Sequence, residues 1–575
     1  SVNVMLGVER STDQARDAVS IDLPIQPDRR PVDLRVLADL VAGTPFTVPA
    51  ISEEIRSGTL SRNVLLSSQP GLLRMAAGLD YLQQYPYGCT EQRISLARAE
   101  LALHKFRDTL MLGGRLDRLD QDVKDTIAYV AKATSDSGLV SFWPGSKPYV
   151  FLTAWSVQFL VEARDAGFAI DESLLGLQLD ALRQSLRSDS SNLISGIEYS
   201  ERVWALTALA QAGKADDAYA AELARKTQWL NLEALAQVTE ALGRSSSTDP
   251  KTLSELMAKT WAGIVVRLYQ GKEIYGGLQS NAVAGDRLIL PSETRAVAQV
   301  LQAVATGGDE PKKQLLVNAL VTLGRGDGWG TTNANAEALL ALAKFIESQS
   351  ATLPTQAIDV AVGDAASKVE VGGDKVMVRL SDPGVAKLTF TSPSPLPVGV
   401  LVEAKYVPLA DGSQEAPHAE GFVLSREVHQ VQWGDAPAIK TALDAAGKTV
   451  TFKVGEIDED RVELVNAMDR NHVAIVIPLA AGMEPMNPAL ATAPPEAKPT
   501  GETTLAPSYV AFLDDRVAYF YDTLPKGTYR FAFRTRALIP GTFIQPAAYA
   551  EMMYDGSVNG NSSGAKIVIV PADAN

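Results

Sequence analysis

Tyr85-Pro86-Tyr87-Gly88-Cys89-Thr90-Glu91-Gln92 is the stretch on which the reading of this chain turns. It holds the single cysteine among 575 residues. It ends where apolar residues begin to recur at helical spacing, so Cys89 and Gln92 stand three positions apart at a predicted helix N-terminus. Two side chains so placed can react with each other. The Cys89 thiolate attacks the Gln92 side-chain carbonyl, expels ammonia and leaves an internal thioester across one turn of backbone. Gly88 is expected to supply the conformational freedom of that turn. The positive potential of the helix N-terminus is expected to favour the thiolate. A bare Cys-x-x-Gln is a short pattern, and an isolated cysteine is ordinarily an inert buried hydrophobe. The neighbouring residues therefore have to carry the argument.

Working outward, helical periodicity continues from about residue 67 to 350, for example in Leu96-Ala97-Arg98-Ala99-Glu100-Leu101-Ala102-Leu103 and Trp155-Ser156-Val157-Gln158-Phe159-Leu160. A unit of about 50 residues recurs there, in which a glycine turn and a polar cap precede an apolar helix. The turns are placed near Gly88, Gly138, Gly196, Gly276 and Gly328. The helices that follow are predicted to start near Thr90-Glu91, Thr153, Ser200-Glu201, Ser292-Glu293 and Asn333. Stacked two-helix repeats make a closed or curved array. In a ring, the inner helices would start at one end, with Cys89 among them. Residues 1–66 and 351–575 alternate as strands do, with Pro24, Pro27 and Pro31 interrupting the first of these segments. Residues 484–507, rich in Pro, Ala and Thr, read as a long, mobile loop. Asp514-Asp515 reads as a turn.

The chain is too long for one core. Its formal net charge of −15 argues against nucleic-acid binding, which needs a basic face, and against electrostatic attraction to an anionic membrane. One cysteine excludes an intrachain disulfide. No signal peptide and no run of apolar residues long enough to span a bilayer is visible. The chain opens inside an apparent strand, Val2-Asn3-Val4-Met5-Leu6, and reads as a fragment. No metal-spaced Cys/His cluster, nucleophile elbow or phosphate-binding glycine loop is found.

The eight residues from Tyr85 to Gln92 resemble the thioester motif of the alpha-2-macroglobulin and complement family, in the form used by bacterial alpha-2-macroglobulins. The resemblance implies a multidomain α + β fold, in which an α/α-toroid thioester domain is inserted in a CUB-type β domain and a macroglobulin-like β-sandwich follows. On this chain, residues 1–66 would hold the end of a macroglobulin-like domain and the first part of the CUB-type domain. Residues 67–350 would be the toroid, 351–416 the second part of the CUB-type domain and 417–575 the terminal sandwich. The implied thioester joins Cys89 and Gln92 within the motif residues Gly88, Thr90 and Glu91. Tyr85 and Tyr87 would shield it, and Met553-Tyr554 match a Met-Tyr pair that packs onto the thioester in bacterial relatives.

The implied function is inhibition of endopeptidases, not enzymatic catalysis. After bait cleavage, a lysine of the attacking protease opens the single-use thioester. The only cofactor-like feature is the Cys89–Gln92 cross-link. The resemblance further implies a periplasmic protein, anchored to the inner membrane through an N-terminal lipid outside this chain, with a peptidoglycan synthase as a further partner. Complement relatives that favour hydroxyl targets use a histidine about a hundred residues beyond the cysteine. Here His104, His418, His429 and His472 are the only histidines, which favours direct aminolysis, and His104 is expected in the core. Two rivals remain open: a thioester adhesin that anchors to a surface, and an α/α-toroid enzyme of the terpene cyclase or prenyltransferase type, which would need an acidic or zinc site.

Overall fold

The computed structural model describes residues 2–23, 31–111, 113–187, 200–245, 248–269, 271–279, 289–307, 309–324, 328–347, 354–409, 416–432, 439–443 and 448–572. Gly196, Pro24, Pro27 and the boundary at residue 350 lie outside them. The helices are α1 (Pro70–Gln84), α2 (Thr90–Leu103), α3 (Leu119–Ala133), α4 (Val150–Asp165), α5 (Glu172–Ser185), α6 (Ser200–Gln211), α7 (Asp217–Arg225), α8 (Leu232–Arg244), α9 (Pro250–Ala262), α10 (Glu293–Gly307), α11 (Glu310–Leu323) and α12 (Thr332–Glu347). The even-numbered helices form a closed ring. Each packs against the next, and α12 returns to α2. The odd-numbered helices lie outside and bridge the ring members.

Sequence explains the two layers. Helix α4 is apolar around nearly its whole circumference, burying Phe151, Leu152, Trp155, Phe159 and Leu160 among others, as an inner helix must. Helix α3 buries only the stripe Leu119, Val123, Thr126, Val130 and Ala133. The outer helices α5, α7, α9 and α11 start on aspartate caps at Asp171, Asp216, Asp249 and Asp309, which satisfy exposed N–H groups. Inner helix α4 has no side-chain cap, and α2 has no aspartate cap but the pair Cys89 and Gln92. Their first turns are covered by other parts of the chain.

Four of the five predicted inner starts agree with the structure to within a residue, and α4 starts at Val150 in place of Thr153. The sixth ring member, α8, was hidden because no glycine turn announces it: Asn231 caps it directly, accepting from Ala234 N–H at 2.8 Å. Gly276 is not a turn. It lies within the strand Lys272–Leu278 of a hairpin with Ile264–Tyr269.

The strands on either side of the helices interleave, as expected. Val32–Asp39 and Ser61–Ser67 both pair with Gly399–Tyr406, and Phe46–Thr47 pairs with Leu388–Thr391. The result is two four-stranded sheets enclosing Val64, Leu66, Val400, Ile358, Val360 and Phe390. Val2–Glu9 and Arg16–Leu23 form a hairpin with each other.

The terminal region is a six-stranded sheet packed on a five-stranded one. Val473, Ile475 and Ile477 of the first meet Val462, Leu464, Phe531 and Phe533 of the second, the alternation typical of a sandwich core. Residues 484–507 do not behave as a loose loop. Thr500 and Gly501 N–H donate to Glu459 at 2.6 and 2.8 Å, Arg534 donates to the Glu496 carbonyl at 3.0 Å, and Tyr521 to that of Leu505 at 2.7 Å. Asp514 and Asp515 do form a turn.

Candidate functional site

Cys89 is the N-cap of α2, in extended backbone. Thr90 holds the turn: its N–H donates to the Phe142 carbonyl at 2.8 Å, and its hydroxyl reaches the Ser141 and Phe142 carbonyls at 2.7 and 2.9 Å. Arg93 Nε donates to the Gly88 carbonyl at 2.8 Å, and its guanidinium lies over the Tyr129 ring at 4.4 Å. Gly88 is not in left-handed backbone. A Cβ here would stand 3.0 Å from the Arg93 guanidinium, so glycine leaves room for that side chain, which corrects the conformational argument made from sequence.

Cys89 and Gln92 face each other as a capping pair. The Gln92 N–H is directed at the Cys89 side chain, and Gln92 Oε1 accepts from the Cys89 N–H at 3.1 Å. The thiol therefore sits beside a carboxamide whose oxygen is already polarised by an N–H donor, the arrangement that stabilises a tetrahedral oxyanion. Both residues are buried.

The cover comes from the terminal sandwich. After the strand Tyr549–Met552, Met553 and Tyr554 project over the start of α2. Met553 Sδ lies 4.0 Å from Gln92 Nε2, and the Tyr554 hydroxyl 3.9 Å from Cys89 Sγ. Tyr85 stacks on Tyr554 with centroids 6.5 Å apart and on Tyr87 edge-on at 5.9 Å. Tyr87 OH donates to Glu551. Every residue singled out around Cys89 in the sequence thus comes together in one place.

Glu91 is fully enclosed. It accepts from Ser95 and Thr332 hydroxyls at 2.7 Å each and from Tyr554 OH. Burial pushes its carboxyl above the ordinary glutamate value, against the pull of these donors and of Arg295. Burial, then the charge of Glu91, push the Cys89 thiol far up. This overturns the expectation that the helix N-terminus would yield a ready thiolate: desolvation outweighs the local dipole.

Residues 421–556 match the family model of the bacterial alpha-2-macroglobulin MG10 domain. An alpha-2-macroglobulin homolog of Nostoc is 23% identical over 454 residues, covering 76% of this chain and 23% of its own length. The crystal structure of Salmonella alpha-2-macroglobulin reacted with methylamine aligns with a TM-score of 0.75 at 19% identity, over 98% of this chain and 35% of that one. Native Escherichia coli alpha-2-macroglobulin from domain MG7 to the C-terminus aligns with a TM-score of 0.72 at 17% identity, over 99% and 94%. The chain is a relative of the bacterial alpha-2-macroglobulins. It matches their C-terminal part, and it spans about a quarter of the length of the Nostoc relative (23%).

The segment that matches the bacterial alpha-2-macroglobulin MG10 domain includes Met553 and Tyr554, whereas Cys89 and Gln92 lie in the helical ring. The site is therefore an interface between two parts of the chain, and its other members were not found from sequence. Trp143 stacks on Tyr509 at 4.8 Å and lies 4.3 Å from Phe520, Tyr149 OH donates to Asp522 at 2.8 Å, and Glu551 receives Tyr87. His472, in left-handed backbone (φ 52°), packs edge-on against Tyr554 at 5.0 Å, and its carbonyl accepts from Met553 N–H at 2.8 Å. A non-glycine residue in that conformation is a local strain held by its surroundings. The aromatic pair Phe142-Trp143 beside Pro144 was the one available signal. His104 is exposed, not in the core. Helix α2 ends at Leu103, and the following 3-10 turn (His104–Phe106) shifts the phase that placed His104 on the apolar face.

Proposed function

We propose that this chain carries the reactive part of a covalent protease trap, in which Cys89 and Gln92 form an internal thioester. The observation that carries the reading is the capping pair itself: nucleophile and carboxamide face each other in a buried pocket capped by Tyr85, Tyr87, Met553 and Tyr554. In this reading the helical ring is the α/α-toroid thioester domain, the interleaved sheets are the CUB-type domain, and the protein works in the periplasm. A lysine Nζ of a captured protease attacks Gln92 Cδ. The Cδ–Sγ bond breaks, an amide joins the two proteins, and Cys89 becomes a free thiol. Lysine is mostly protonated at neutral pH, its ordinary pKa being about 10.4, so capture depends on proximity. The Salmonella alpha-2-macroglobulin of similar fold was crystallised as the protein reacted with methylamine, which supports amine reactivity in a relative.

The test is intact mass. The folded protein should be lighter than its sequence by one ammonia, and methylamine should add one methylamine per chain. Cys89→Ala should keep the mass of its sequence, take up no methylamine and retain the wild-type circular dichroism spectrum. Methylamine uptake by Cys89→Ala would defeat the reading.

A further inference from the structure

The thioester has to be made before it can be used, and the same pocket poses an obstacle to making it. The nucleophile is a thiolate, yet the Cys89 side chain is wholly buried, where charge is disfavoured. A base must take the thiol proton, and an acid must protonate the departing nitrogen. The groups that meet this need lie in a line. The Tyr554 hydroxyl is 3.9 Å from Cys89 Sγ, and its hydrogen is donated to Glu91. With that hydrogen committed, the Tyr554 oxygen is left as an acceptor facing the thiol. Among the described residues, Glu91 receives only hydroxyls, from Ser95, Thr332 and Tyr554. The nearby guanidinium of Arg295 is engaged by both oxygens of Glu233. Burial raises the proton affinity of this carboxylate, which suits a base.

We propose that Tyr554 and Glu91 form the proton relay that closes the Cys89–Gln92 bond, so that Tyr554 conducts protons as well as covering the site. This rests on the thioester reading above. The thiol proton passes to the Tyr554 oxygen as the Tyr554 proton passes to Glu91. Sγ attacks Gln92 Cδ, and the charge that develops on Oε1 is held by the Cys89 N–H, 3.1 Å away in the unreacted pair. In the tetrahedral intermediate Sγ and Nε2 share one carbon, so the hydroxyl that faced the first is within reach of the second. Glu91 returns the proton through Tyr554 to Nε2, the Cδ–Nε2 bond breaks, and ammonia leaves. Thiol and carboxamide become thioester and ammonia, with Tyr554 and Glu91 restored. Opening by an amine is the reverse of this sequence: the relay removes a proton from the attacking nitrogen and delivers one to Sγ.

The experiment separates conduction from cover. Closed wild-type protein is opened with ammonia, which regenerates Gln92 and the thiol. Ammonia is then removed, and reclosure is followed by loss of free thiol and by mass. Tyr554→Phe keeps the ring and removes the hydroxyl; Glu91→Gln keeps the shape and removes the base. Each should slow reclosure about a hundredfold, the usual scale of general acid–base catalysis, and slow opening by methylamine in parallel. A purely covering role predicts wild-type rates for Tyr554→Phe. Reclosure of both variants at the wild-type rate overturns the relay while leaving the thioester intact. A wild-type protein that has lost no ammonia overturns both readings. Should Glu91→Gln fail to fold, as judged by circular dichroism, Tyr554→Phe decides alone.

Discussion

Two carboxylates at opposite ends of the helical ring, Glu91 and Glu337, are buried in opposite ways. At the end where the inner helices start, Glu91 is surrounded by neutral hydroxyls beneath the terminal sandwich. At the end where they finish, a cavity of about 430 Å³ is lined by Arg98, Gln158, Glu162, Gln299, Glu337 and Lys344 among others. There Arg98 donates to Glu162 at 2.8 Å and to Glu337 at 3.1 Å. Burial raises the Glu337 carboxyl, and Arg98 opposes it. Glu337 is paired with a guanidinium, whereas Glu91 is not, although Arg295 and Glu233 form an ion pair at the same end as Glu91. A buried ion pair holds geometry, whereas a buried carboxylate bound only by hydroxyls can exchange a proton. The difference separates a carboxylate that fixes the ring from one free to exchange a proton, although a single helix, α2, carries both Glu91 and Arg98.

If that division holds, Arg98→Ala should have the largest effect on stability and none on reactivity. It strands two carboxylates, Glu337 buried and Glu162 partly so, and breaking a buried pair costs about 3–5 kcal/mol. The denaturation midpoint should fall, while the rate of methylamine uptake in the folded protein stays unchanged. A changed uptake rate would show that the two ends are coupled.

Met553→Ala should do the reverse. Met553 is buried against the Gln92 amide, and its burial is worth roughly 1.5–3 kcal/mol. The pocket should open about ten- to a hundredfold more often, with faster hydrolysis and methylamine uptake, read as thiol release. Unchanged release would place the barrier to water elsewhere.

The smallest effect sharpens the rule about unpaired carboxylates. Glu100, also on α2, is buried, with the Gln83 amide at 2.9 Å its one donor among the described residues, and burial pushes its carboxyl up to about 7. The folded state therefore holds a proton that the unfolded chain has released. Its contribution to stability should decline as pH rises from the ordinary glutamate range to about 7, then level off. Glu100→Gln should abolish that decline and be more stable than wild type at pH 8, read as a higher denaturation midpoint. Parallel pH profiles for the two proteins would contradict the assignment.

Local pattern was enough to see much of this molecule. The juxtaposition of Cys89 and Gln92 was legible because they are three residues apart on one helical turn, a distance fixed by backbone geometry alone. The starts of α2, α6, α10 and α12 were legible because caps and periodicity are local. The start of α8 was not, since its asparagine cap follows a short outer helix without a glycine turn. His104 was misplaced because α2 passes into a 3-10 turn at His104, still in right-handed helical backbone, with no breaker to mark the change.

By itself the sequence determined a helical array between two β regions, a lone cysteine at a helix start and a glutamine one turn further on. Only the tertiary structure decided that the helices close into a ring, that Thr332 on the last of them reaches Glu91 on the first inner one, and that the Tyr554 hydroxyl arrives at Cys89 across 465 residues of chain. It also placed the thiol where burial opposes its ionisation. A helix terminus seen in sequence promises a stabilised anion, but desolvation depends on what covers that terminus. The cover is supplied by a domain folded from the far end of the chain, which no local pattern around Cys89 encodes.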